Sequence, residues 1–110
     1  MKPALDQVLG ELIRADKRDY IKLQKGLVIA FTPSKDNDGP YRLCLSRPKP
    51  QKPSKREGEI VLKFLGVALA ESSLDYEVVR NEETAVSGQP CIVIEWKPLR
   101  QPPLFAELPY

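Results

Sequence analysis

Leu5, Val8, Leu9, Leu12 and Ile13 recur at the i, i+3, i+4, i+7, i+8 spacing that lines one face of an α-helix, and Pro3 suits a first turn. A helix is therefore expected over residues 3–15. The next stretch is open to two readings. Residues 15–25 could prolong the helix to a Gly26 cap, or Tyr20 to Leu23 could form a strand turning through Gln24, Lys25 and Gly26. The strand is preferred, because Tyr and Ile favour it and the charges between Asp16 and Asp19 spoil the apolar face.

Residues 27–32 are β-branched and aromatic-rich, and a dense cluster of turn formers over 33–40 separates them from 41–46. That reads as a hairpin with a long polar loop. Alternation in its second strand puts Tyr41, Leu43 and Leu45 on the core face and Arg42, Cys44 and Ser46 on the other. A proline-rich connector, 47–53, leads to Ser54-Lys55-Arg56-Glu57, a capping box ahead of an apolar helix. Ile60, Val61, Phe64, Leu65, Ala68 and Leu69 share helical spacing, so the second helix is expected over 55–71 as the best-buried element. Strands at 76–80 and 91–96 follow, separated by a polar loop at 81–90; Ile92, Ile94 and Trp96 share one face and Cys91, Val93 and Glu95 the other. From Pro98 onward four prolines rule out a helix or an inner strand.

The pattern predicts an α+β fold, an antiparallel sheet of four to five strands packed by two helices in the order α-β(β)β-α-ββ, with an extended Pro-rich C-terminal tail. One domain over 1–97 and a tail over 98–110, packed on that domain, is the expected organisation. With a strand at Tyr20 the element order resembles the small dimeric secretion-chaperone fold. None of that family's motifs, neither its acidic charge nor its closing helix, is matched by these residues, and no family is assigned from the order.

Length fits this picture, since 110 residues suffice for one core, and 42% hydrophobic with 29% charged residues is the balance of a chain that folds by itself. The longest apolar runs, 27–31 and 67–70, fall far short of the roughly 20 residues a membrane helix needs. Pro3, Asp6, Gln7, Gly10 and Glu11 break up any signal-peptide core, so a cytoplasmic protein is expected. Cys44 and Cys91 are too few to staple a scaffold and read as reduced core thiols, with a bridge between them left open.

Histidine is absent, which removes the usual neutral-pH proton shuttle, the Ser-His-Asp and Cys-His arrangements and most zinc sites. Six scattered glycines make no phosphate loop. Asp36, Asp38, Glu82 and Glu83 read as solvated turn residues, and Asp36, Asn37 and Asp38 lack the spacing of a calcium loop. No enzyme activity and no cofactor or metal is expected.

Two stretches are candidates for binding. Arg47, Lys49, Lys52, Lys55 and Arg56 place five cations in ten residues, and Lys55 and Arg56 in a first helical turn run against the helix dipole, so a polyanion or partner contact is one reading and a solubilising linker the other. The same residues match a polyproline ligand through Arg47, Pro50 and Pro53. In the tail, Leu104, Phe105, Leu108 and Tyr110 would dock on the domain, cover a sheet edge or bridge to a second subunit. A small protein-interaction or structural module that binds a protein partner or itself ranks first. A nucleic-acid or other polyanion binder using residues 47–56 is the alternative, and no membrane association is expected.

Overall fold

The structure, a computed structural model, describes residues 4–23, 26–35, 40–49, 51–71, 75–86 and 88–98. Two helices and five strands follow in the order α1 (Leu5–Ala15), β1 (Asp19–Lys22), β2 (Val28–Thr32), β3 (Tyr41–Ser46), α2 (Lys55–Glu71), β4 (Tyr76–Val86) and β5 (Gln89–Pro98). All pairings are antiparallel, and the sheet order is β1-β2-β3-β5-β4. This is the α+β architecture expected from the sequence, with the strand at Tyr20 present. The chain runs through β1, β2 and β3 as a meander and crosses along α2. It then lays β5 beside β3, which leaves β4 as an edge.

Both helices lie on one face. Leu9 and Leu12 of α1 and Val61, Leu65, Ala68 and Leu69 of α2 form one buried cluster with Ile29, Phe31, Leu43, Leu45, Ile92, Ile94 and Trp96 of the sheet. The pleat makes this possible, since alternate residues on each strand point to the same side. At one end of the core Phe31, Tyr41 and Trp96 stack with ring centroids 5.6 to 6.2 Å apart. Two glycines set how α2 crosses the sheet: a Cβ at Gly58 would lie 3.2 Å from Ile92, and one at Gly66 would lie 2.9 Å from the Tyr76 hydroxyl. α2 therefore rides directly over β5 and the start of β4.

The N-terminus of α2 is fixed by the expected capping box. The Glu57 N–H donates to Ser54 Oγ at 3.1 Å, and Glu57 Oε1 accepts from the Ser54 N–H at 2.9 Å. Ser54→Ala should cost about 1 kcal/mol of folding free energy, the usual value for a lost N-cap, measured by urea unfolding. An unchanged midpoint would mean that the box contributes nothing.

Two expectations need correction. The polar loop placed at 81–90 is mostly strand: β4 continues to Val86, which pairs with Gln89 across a tight turn where Gly88 takes φ +77°. An edge strand lying partly beyond the helices can be polar on both faces, which hides its period. Ile60, expected in the core, is 42% exposed, and Phe64 is only partly buried, because the buried arc of α2 is centred on Val61, Leu65, Ala68 and Leu69. Cys91 is buried and Cys44 half-buried, both on the face opposite the helices, where the strand alternation places them.

Candidate functional site

The basic connector does not present five free cations. Arg47 is half-buried and turns inward: its Nε donates to Glu57 Oε1 at 3.2 Å and its Nη2 pairs with Glu57 Oε2. Hydrogen bonding to Arg47 is the main influence holding the Glu57 carboxyl below its ordinary range, and the same bond raises the Arg47 guanidinium. This contribution to stability is present above pH 4.5, the ordinary glutamate value, and is lost as the pH falls through the lower folded value. The Arg47 carbonyl also accepts from Gln89 Nε2 at 2.8 Å, which ties the connector to β5. Arg47 thus helps to build the domain.

Lys49, Lys52, Lys55 and Arg56 are exposed. Lys52 shares a shallow cleft with Pro53, Glu83 and Thr84, and Lys55 shares the adjoining one with Glu59, Asn81 and Glu83. Glu83 of β4 lines both clefts, which places one carboxylate near Lys52 and Lys55. Leu104, Phe105, Leu108 and Tyr110, the residues of the expected tail dock, lie outside the described residues.

The outer face of α2 carries what the sequence pattern did not single out. Ile60 and Val67 are 42% and 41% exposed, and partly buried Phe64 lies between them at helical spacing. Arg56 and Glu71, both exposed, end this stripe. The signal was in the sequence, because α2 carries more apolar residues than one buried arc can use. Two further exposed apolar residues, Val78 and Val79, belong to β4, where Val79 is the extra residue of a bulge between the Val78–Trp96 and Arg80–Glu95 pairs. A bulge of this kind disfavours edge-to-edge pairing.

On the helix-free face a row of charges crosses three strands. Glu95 is buried, and its two oxygens are shared: Oε2 accepts from Arg42 Nη2 and Oε1 from Arg80 Nη1, each at 3.2 Å. Arg80 also pairs with Glu82. Two acids raise its guanidinium pKa, Glu82 foremost.

Further along the same face, Cys44 pairs in register with Val93 and Cys91 with Ser46, so the two cysteines are diagonal neighbours on adjacent strands. Both thiols are free. Diagonal positions lie roughly 7–8 Å apart at Cα, at or beyond the span of a disulfide. Burial, followed by the hydrogen bond with Cys91, pushes the Cys44 thiol up to about 11 from 9.0. Its thiolate at pH 8 is then about 100-fold scarcer than an ordinary one, so iodoacetamide should alkylate Cys44 about 100-fold more slowly in the folded chain than in urea. Equal rates would remove the thiol pair from the account. Because the folded value is the higher one, the linked stability is intact below pH 9.0 and declines as the pH rises towards 11.

Among the described residues no group of three or more His, Cys, Asp or Glu side chains could hold a metal ion. Nor is any helix among them long and apolar enough to cross a membrane. No protein-family model, no curated protein and no solved structure matches the chain.

Proposed function

We propose that this chain is a small non-catalytic protein-interaction module that works as a pair of copies joined along the outer face of α2. The observation carrying this reading is the stripe of exposed Ile60 and Val67, with partly buried Phe64 between them, bounded by Arg56 and Glu71. An isologous contact repeats the same patch on both copies, so the patch must complement itself under a two-fold axis. This one does when the second α2 runs antiparallel and the axis passes between Lys63 and Phe64. Ile60 then lies against the partner's Val67, and Val67 against the partner's Ile60. The same operation sets Arg56 opposite the partner's Glu71 at both ends of the seam.

An apolar stripe with opposite charges at its ends supplies both burial and register. The absence of histidine from the whole chain supports a non-catalytic role. A cytoplasmic, reducing location suits two free thiols held side by side. Polyanion binding through residues 47–56 is the weaker reading, since Arg47 is engaged by Glu57 and Glu83 lines the clefts that hold Lys52 and Lys55. Sedimentation equilibrium of the wild-type chain should give twice 12.4 kDa. A mass of 12.4 kDa at all concentrations up to the millimolar range would refute the pairing.

A further inference from the structure

We infer that the open end of the helix-free sheet face is a binding site for a phosphate group, gripped by Arg18, Lys35 and Arg42. These three cations come from separate places in the sequence. Arg18 precedes β1, Lys35 follows β2, and Arg42 sits in β3 opposite Thr32. The register brings them together, because β1 begins where β2 ends and β3 begins. They line a cleft of about 340 Å³ whose floor includes Glu95 and whose walls include Pro33 and Pro40.

Charge and geometry both favour a dianion. Three cations face one carboxylate, an excess of two positive charges, and that carboxylate is already shared between Arg42 and Arg80. A phosphomonoester or inorganic phosphate carries nearly this charge at neutral pH, whereas a carboxylate ligand carries half of it. Arg42 is held by Glu95 through Nε and Nη2, at 3.4 and 3.2 Å, which fixes its guanidinium plane while the side chain remains 48% exposed. A guanidinium fixed along one edge offers its remaining donors in a set direction, which suits two oxygens of one phosphate group. Arg18 and Lys35 are exposed and pair with no acid among the described residues. Thr32 adds a hydroxyl, and the two prolines give rigid apolar walls against which the organic part of an ester can rest. The site lies on the face opposite α2, so it is independent of the pairing proposed above.

The test is a titration of the ¹⁵N-labelled full chain with inorganic phosphate and with phenyl phosphate, at constant ionic strength, with acetate and chloride as controls. Saturable shifts are expected at the Thr32 and Arg42 amides and not at Cys91, at the far end of the strands. Acetate should bind about tenfold more weakly or worse, and the Arg18→Ala/Lys35→Ala variant, which alters only exposed side chains, should lose about tenfold or more in phosphate affinity. Tighter binding of phenyl phosphate would assign the ester as ligand, and equal binding the free ion; either upholds the site. Shifts reproduced by chloride, or unaffected by the double variant, would overturn it. So would a wild-type chain that shows no saturable shifts, including one that binds only after Asp36 and Asp38, which follow Lys35 in sequence and lie outside the described residues, are changed to Asn.

Discussion

Replacing Phe31 by Ala should lower the folding free energy by about 3–5 kcal/mol, the range for an enclosed aromatic. Phe31 is fully buried in β2 and stacks on both Tyr41 and Trp96, with centroids 6.1 and 6.2 Å away. Those neighbours belong to β3 and β5, paired at Tyr41–Trp96, and cannot close over the gap without moving the sheet. The loss therefore includes both the transfer of the ring and a cavity. Phe64→Ala is the internal comparison. Phe64 is only partly buried, so it should cost distinctly less, although on sequence alone it ranks as a core residue. Urea unfolding of both variants checks the order, and a larger loss for Phe64 would mean that the orientation of α2 is wrong.

The second large effect is expected on association. Ile60→Asp with Val67→Asp puts four carboxylates into the proposed seam, two from each copy, where each would face apolar surface or a like charge. An unpaired charge buried at an interface costs several kcal/mol, so dimer affinity should fall by more than about 100-fold. Both positions are roughly two-fifths exposed in the single chain, so the monomer's own stability should change by less than about 1 kcal/mol. Sedimentation and urea unfolding of the same variant separate the two. A variant that stays dimeric would place the interface elsewhere, and one that unfolds would make α2's outer face part of the core.

The sequence was most legible where one local rule acts alone. Ser54 and Glu57 mark the start of α2 because a capping box needs only residues three apart, and α2 begins where expected. Tyr41, Leu43 and Leu45 point inward as their alternation requires. Reading failed where a second surface competes for the same pattern. Ile60 shares the helical spacing of Val61, Leu65 and Ala68, and spacing cannot say which of two adjacent arcs meets the sheet. Residues 81–86 carry no period because β4 is an edge with few helix contacts, so solvated residues suit both of its faces.

The candidate sites were illegible for a different reason. Five cations within ten residues draw the eye to 47–56, yet Arg47 is satisfied by Glu57, a pairing that requires the chain to fold back on itself. The cleft cations are scattered at 18, 35 and 42, and only strand register brings them together. Likewise the Glu95 row depends on β5 docking beside β3 ahead of β4, an order that local patterns do not determine.

Charge exchange across the proposed seam tests the pairing of α2 with its copy, because it depends on the antiparallel register and not on apolar burial in general. Arg56→Glu alone should weaken the dimer, since it sets a carboxylate against the partner's Glu71 at both ends. Glu71→Arg alone should do the same by opposing two guanidinium groups. The double variant Arg56→Glu/Glu71→Arg restores opposite charges at both ends and should recover most of the lost affinity, a coupling of about 0.5–3 kcal/mol per interacting pair in a double-mutant cycle. Within a single helix these residues are fifteen positions apart, too far for direct contact, so any coupling must pass between copies. Sedimentation equilibrium of the four proteins supplies the cycle. Recovery in the double variant is the predicted result, and strictly additive losses, or no effect of either single change, would contradict the pairing of α2 with its copy.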